Sequence, residues 1–135
     1  MFEKVFFNNK LYAIIIYSTF KKDGIEFFTP NELSQQLAYM KHPAGKKITP
    51  HLHKEVERIV MNTLETLFIK SGKLRVDFYD ENKKFLGNKI LGAGDTILLI
   101  QGGHGFEVLE DLEMIEVKQG PYVGEEDKIR FEGEE

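Results

Sequence analysis

Two of the chain's four histidines, His51 and His53, stand one residue apart in the stretch GKKITPHLHKEVERIVMNTLETLFIKSG, residues 45–72. On a strand, alternate residues project to one side about 6.6 Å apart, so two imidazoles there could converge on one ion from a rigid wall. Three glutamates follow, Glu55, Glu57 and Glu65, and a third histidine, His104, lies among Gly102, Gly103 and Gly105. Those glycines permit backbone angles that could turn His104 inward. Three imidazoles and one carboxylate, without sulfur, suit one divalent transition metal: Zn, Fe, Mn, Ni or Co. Four such ligands on a six-coordinate ion leave two positions for water or substrate, the arrangement catalysis needs. Which glutamate would complete the set is open on spacing alone.

The elements that must carry these residues are mostly short β-type runs. Residues 11–20 are rich in Ile, Tyr and Ala, a Lys-Lys-Asp-Gly turn occupies 21–24, and 25–28 is apolar again. Thr29-Pro30-Asn31-Glu32 has capping-box spacing with Pro at the first helical position, which predicts a single helical turn. Residues 36–41 read as a strand. Ser71-Gly72, between TLFIK and KLRVDFYD, predicts a tight hairpin. Turns are expected at 80–82 and 92–95, then strands at 96–100, 106–109 and 114–118. Many short strands at regular spacing suggest a sandwich or barrel. From 54 to 67 the apolar residues at 56, 59, 60, 64 and 67 fit a helical face about as well as a strand. A helix would set His53 beside Glu57; a strand would project 51, 53, 55 and 57 together. The Gly- and Glu-rich end, GEEDK and EGEE, reads as a solvated tail.

Composition narrows the possible partners. The net charge is −4 and the basic residues are scattered, which argues against nucleic acid, since phosphate binding needs concentrated positive charge. The absence of cysteine excludes disulfides, zinc-thiolate sites and thiol nucleophiles. The longest apolar run, LYAIIIY at 11–17, is far too short to span a bilayer and makes a poor signal peptide. A cytoplasmic protein of one domain is expected.

The spacing Gly45-x5-His51-x-His53 resembles the first motif of the cupin superfamily, and 94–104, GDTILLIQGGH, is similar to the second. Ile100 stands in place of that motif's proline, the glycine-to-histidine count is one residue short, and Val108 stands where an asparagine is usual. The resemblance covers residues 36–119. It implies an all-β, single-domain cupin jelly roll, with N-terminal strands at 1–35, a core at 36–119 and a C-terminal extension at 120–135. It also implies a metal held by His51, His53, Glu65 and His104. Glu65 leads Glu57 because ETLFIKSG has the layout of the cupin strand that begins at the glutamate and ends at a glycine. With Glu65 inward, Leu67 and Ile69 share its side and Phe68 lies on the other. Glu57 sits beside Glu55 and Arg58, a charged run whose ordinary explanation is a solvated face.

Tyr39, Lys41, Arg58, Gln101, Phe106 and Lys118 are candidates to line the pocket, where a cation would suit an anionic substrate. For each charged one the plain alternative is a surface charge. The segments GHGF followed by LED, and KQGPY at 118–122, are similar to small cupins encoded among cell-surface polysaccharide biosynthesis genes. The function that resemblance implies is a sugar or sugar-nucleotide isomerase or epimerase. The alternatives are a non-catalytic metal- or carbohydrate-binding module and an Fe(II) dioxygenase. Cupins often pair through an N-terminal strand, and 11–17 as an uncovered apolar edge would aggregate, so a homodimer is expected. On the metal reading, elemental analysis of chelator-free protein should find about one transition metal per chain. His51→Ala or His104→Ala should remove it, and Glu65→Ala should weaken it.

Overall fold

The computed structural model describes residues 1–133. Its strands in chain order are β1 (Phe2–Phe7), β2 (Lys10–Ile16), β3 (Gly24–Phe27), β4 (Ala38–Lys41), β5 (Glu65–Tyr79), β6 (Phe85–Gly92), β7 (Thr96–Leu99) and β8 (Gly103–Lys118). A 3-10 turn follows at Gly124–Asp127. The larger sheet is antiparallel, in the order β1-β2-β7-β5-β6, with β8 on the other side of β5; β3 and β4 form a separate hairpin. The chain is thus nearly all-β, and its main sheet curls into a half-barrel. Among the described residues no helix is long and apolar enough to cross a membrane.

Local chemistry accounts for the entry into the sheet. Asn8 and Asn9 both take positive φ, 51° and 64°, the pairing that a two-residue hairpin requires and that Asn tolerates best after Gly. That Asn-Asn signal marks β1, which the reading of residues 11–20 as the first strand misses. β2 is covered on both faces. Ala13 and Ile15 join the core made with Leu67, Val76 and Ile97. Ile14 and Ile16 pack with Phe28, Leu64 and Leu98 under the β3–β4 hairpin. A strand buried on both faces reads as a continuous apolar run rather than an alternating one. The edges of β2 are covered too, by β1 and β7.

Other expectations resolve differently. Pro30–Leu33 closes as one hydrogen-bonded turn, the Leu33 amide donating to the Pro30 carbonyl at 3.3 Å, with no helix; the Thr29 hydroxyl does not cap it but accepts from the Leu37 amide at 3.2 Å and donates to Gln36 at 2.8 Å. Residues 42–64 form neither helix nor strand.

The centre of the architecture is the ribbon of β5 and β8, paired from Glu65↔Lys118 to Tyr79↔Gly103. The hairpin expected at Ser71-Gly72 is absent; β5 continues through it as one strand of 15 residues. The positive φ of Gly72, +91°, is spent on a bulge instead. Between the pairs Ser71↔Glu113 and Lys73↔Glu110, β8 carries an extra residue. An extra residue bends the strand and sharpens its twist. The backbone of Asp111 crosses directly over Gly72, and a Cβ there would overlap the Asp111 carbonyl oxygen and lie 2.7 Å from its carbon. Gly72→Ala should therefore lose on the order of 3 kcal/mol of stability in urea denaturation, from strain and overlap together. Gly45 has φ +90° with nothing within 4 Å of a Cβ, so Gly45→Ala should cost only about 1 kcal/mol.

Candidate functional site

Strand alternation decides which side chains face the hollow of the half-barrel. Leu67 and Ile69 are fully buried on the inner face of β5, and Phe68, on the outer face, is 40% exposed. Glu65 shares the parity of Leu67 and Ile69 and so points inward. The antiparallel register puts Lys118 opposite Glu65, and Glu116 opposite Leu67. At the far end of the same ribbon, the buried Phe78 and Val76 lie opposite His104 and Phe106.

A straight 15-residue strand spans roughly 46 Å, which would hold these two groups far apart. Instead His104 Nε2 lies 3.7 Å from Glu65 Oε1. The ribbon doubles back on itself, and its two ends form opposite walls of one pocket of about 890 Å³. Gly102, at φ +76°, packs against Tyr12 and the Tyr79 carbonyl where a Cβ would overlap both. It aims β8 so that the His104 ring stacks on Phe106, centroids 5.3 Å apart and planes 29° from parallel.

The C-terminal segment completes the pocket. Asp127, Lys128, Ile129, Arg130, Phe131 and Gly133 all line it. The Thr63 hydroxyl donates to Asp127 at 2.6 Å, and the Asp127 carboxylate lies 4.0 Å from Lys118 Nζ. Phe131 packs edge-on against Tyr79 at 5.1 Å. Most of this Gly- and Glu-rich end is exposed, as a solvated tail would be, but Asp127 and Phe131 hold it against the pocket. The apolar alternation of Ile129 and Phe131 in DKIRF was the available signal. The last two residues of that expected tail, 134–135, lie outside the described residues.

Burial and a neighbouring carboxylate set the electrostatics. Loss of solvent pushes the Glu65 carboxyl up to about 7. Its hydrogen bond to Glu116 and the charge of Glu116 add to the rise, against the opposing pull of Lys118 and Lys128. Burial holds His104 below the ordinary histidine value, with Lys128 and Lys118 pushing the same way and Glu116 opposing. Near neutral pH the site therefore offers a carboxyl poised to give or take a proton beside a neutral imidazole. Glu116 was not singled out in the sequence, although the 2-residue alternation of Met114, Glu116 and Lys118 puts it on the face of Lys118.

Of the six pocket candidates, Gln101, Phe106 and Lys118 line the cavity. Tyr39 packs on Phe20 at 4.8 Å, Lys41 pairs with Asp23 at 3.0 Å, and Arg58 is exposed in the 42–64 segment; none of these three is a wall residue. His51 and His53 are exposed on that same segment, with rings 5.1 Å apart. His51 Nδ1 contacts the Thr49 carbonyl at 2.9 Å. Glu55 and Glu57 are exposed there as well. Glu65 and His104 are thus brought together, while His51 and His53 are not brought to them. Among the described residues no three His, Asp or Glu side chains converge as a metal would require.

Comparison of the chain with family models, with characterised proteins and with solved structures finds no match.

The raised Glu65 value has a definite consequence for stability. The folded state holds the Glu65 proton more tightly than the unfolded chain, so stability falls as pH rises from the ordinary glutamate range to about 7. Glu65→Gln keeps a donor toward Glu116 and removes the titration. It should be more stable than the wild type at pH 8 and close to it at pH 4.5, as read by chemical denaturation at the two pH values.

Proposed function

We propose that the curled half-barrel is a cupin-type jelly roll and that its pocket performs acid–base chemistry on a small polar molecule, as a sugar or sugar-nucleotide isomerase or epimerase. The observation carrying this reading is the Glu65–Glu116 carboxyl pair with His104 Nε2 3.7 Å from Glu65, at the meeting point of the ribbon's two ends. Isomerisation and epimerisation beside a carbonyl both remove a proton from carbon and return one to a neighbouring carbon or to the opposite face. A carboxyl with a pKa near the working pH is suited to both halves of that cycle.

In this reading Glu65, as carboxylate, takes the proton from the hydroxyl-bearing carbon and, in isomerisation, returns it to the former carbonyl carbon; in epimerisation the proton delivered to the opposite face comes from water. The neutral imidazole of His104 donates a hydrogen bond to the carbonyl oxygen as negative charge builds there, and the Lys118 ammonium supports the same charge. Glu116 keeps the affinity of Glu65 for the proton high, so that the acid form survives near neutral pH. Phe106 and Tyr79 offer apolar ring surface within the same walls, against which the C–H faces of a sugar ring can lie.

The test uses free hexoses, hexose phosphates and nucleotide-linked hexoses in D2O, followed by NMR. The expected result is solvent deuterium entering a carbon next to a carbonyl, at a rate reduced on the order of 100-fold by Glu65→Gln. Saturable binding with no exchange would replace catalysis by a carbohydrate-binding module. The absence of any binding across the panel would remove the carbohydrate reading of the pocket.

A further inference from the structure

Three cations stand on the pocket wall: Lys118, Lys128 and Arg130. Two of them are balanced. Arg130 is tied to Glu125 at 2.7 Å, and Lys118 Nζ lies 4.0 Å from the Asp127 carboxylate. Among the described residues Lys128 has no carboxylate within ion-pair distance, although its charge acts on both Glu65 and His104. The carboxyl groups of the wall are committed elsewhere. Asp127 is engaged by Thr63 and Lys118, Glu65 and Glu116 are bonded to each other, and Glu81 lies beyond the other end of β5. An ammonium left unpaired beside a reacting centre is a ready partner for an anionic group on the ligand.

The segment that carries Lys128 has no ladder to hold it. Its root is the bond from the Gln119 amide to the Leu64 carbonyl at 2.8 Å. Beyond that, among the described residues, no backbone–backbone hydrogen bond joins 120–133 to the sheet. Side chains fasten it on either side of Lys128. On one side Asp127 accepts from the Thr63 hydroxyl at 2.6 Å. On the other, the Phe131 ring stands edge-on to Tyr79 and lies over Gly103, where a Cβ would come within 3.1 Å of it. Gly103 thus leaves a seat for Phe131 on the strand that also carries His104. A segment fastened by a few side chains opens at a small fraction of the cost of unfolding the sheet.

We propose that residues 121–133 are a strap that closes over the bound substrate, and that Lys128 is its recognition residue for a phosphoryl group. The inference rests on the reading of the pocket as a sugar or sugar-nucleotide site, and adds which part of the ligand the strap holds. A phosphoryl group gains the charge-assisted bond to Lys128 only while the strap is down, so it binds the closed state better and draws the population to it. Lys118, held by Asp127, stays with the reacting carbonyl. A sugar without phosphate makes no such bond and leaves the strap free to open, which sets the specificity as a difference between the two ligands.

The test uses pyrophosphate as the probe on the full chain. Calorimetric titration should show saturable binding, weakened on the order of 10-fold by Lys128→Ala. Phe131→Ala keeps every charge but empties the seat on Gly103, and it should also weaken binding, on the order of 10-fold. Both side chains lie outside the buried core, and circular dichroism checks that each variant is folded before titration. Trypsin cleavage after Arg130 reads the strap itself. Saturating pyrophosphate should slow it on the order of 10-fold in the wild type and leave Lys128→Ala unprotected. Equal pyrophosphate affinity in wild type and Lys128→Ala, or no saturable binding, would overturn the role of Lys128. Cleavage at the same rate with and without pyrophosphate would overturn the strap. Both signatures without deuterium exchange on any sugar would support the strap and remove the catalytic reading. Exchange on free hexoses, with pyrophosphate binding indifferent to Lys128→Ala, would do the reverse.

Discussion

The bend in the β5–β8 ribbon is the constraint on which everything else depends. Fifteen residues of continuous strand would ordinarily keep their ends tens of ångströms apart, and a flat ribbon of that length has no interior. The bulge opposite Ser71–Lys73, with Gly72 at φ +91° beneath the Asp111 backbone, turns the ribbon back on itself. Once the two halves face each other, Leu67 and Ile69 from one end and Val76 and Phe78 from the other can share one core. Their polar neighbours in the same parity, Glu65 and His104, must then meet at its mouth. The chemistry of the pocket follows from the curvature of a single pair of strands.

That geometry explains why the two titrating groups are perturbed in opposite senses. Glu65 and His104 lose solvent for the same reason, and loss of solvent disfavours the charged form of each, raising the acid and lowering the base. Glu116 reinforces the shift of Glu65 and opposes that of His104, since a negative charge repels a second carboxylate and attracts an imidazolium. Lys118 and Lys128 act the other way on Glu65 and deepen the shift of His104. Near pH 7 the Glu65 carboxyl is therefore close to gaining or losing a proton, beside an imidazole held toward its neutral form.

Much of this was legible from residue order, and the rest was not for identifiable reasons. The all-β class followed from short apolar runs separated by turn residues. The inward parity of Glu65 followed from its spacing to Leu67 and Ile69. The strand 11–17 was legible as apolar, but not as an interior strand covered on both faces, because burial depends on partners distant in sequence. Ser71-Gly72 looked like a hairpin, since a glycine that needs positive φ serves a turn or a bulge equally well; only the register of β8 separates the two. Glu116 was hidden because its meaning depends on a neighbour 51 residues away. The segment holding His51 and His53 resisted a periodicity reading, and in the structure it holds neither helix nor strand, with both histidines in solvent.

The most direct measurement is the distance between the two ends of the ribbon. The chain has no cysteine, so spin labels placed through Glu81→Cys and Val117→Cys would be the sole attachment points. Glu81 lies on the pocket wall just beyond the end of β5, and Val117 lies on the exposed face of β8 at the other end of the ribbon. A doubled-back ribbon predicts a narrow pulsed-EPR distance distribution centred below about 25 Å, roughly half the strand's straight reach with allowance for label length. A distribution centred near 45 Å would mean that the ribbon is extended and that Glu65 and His104 do not share a pocket.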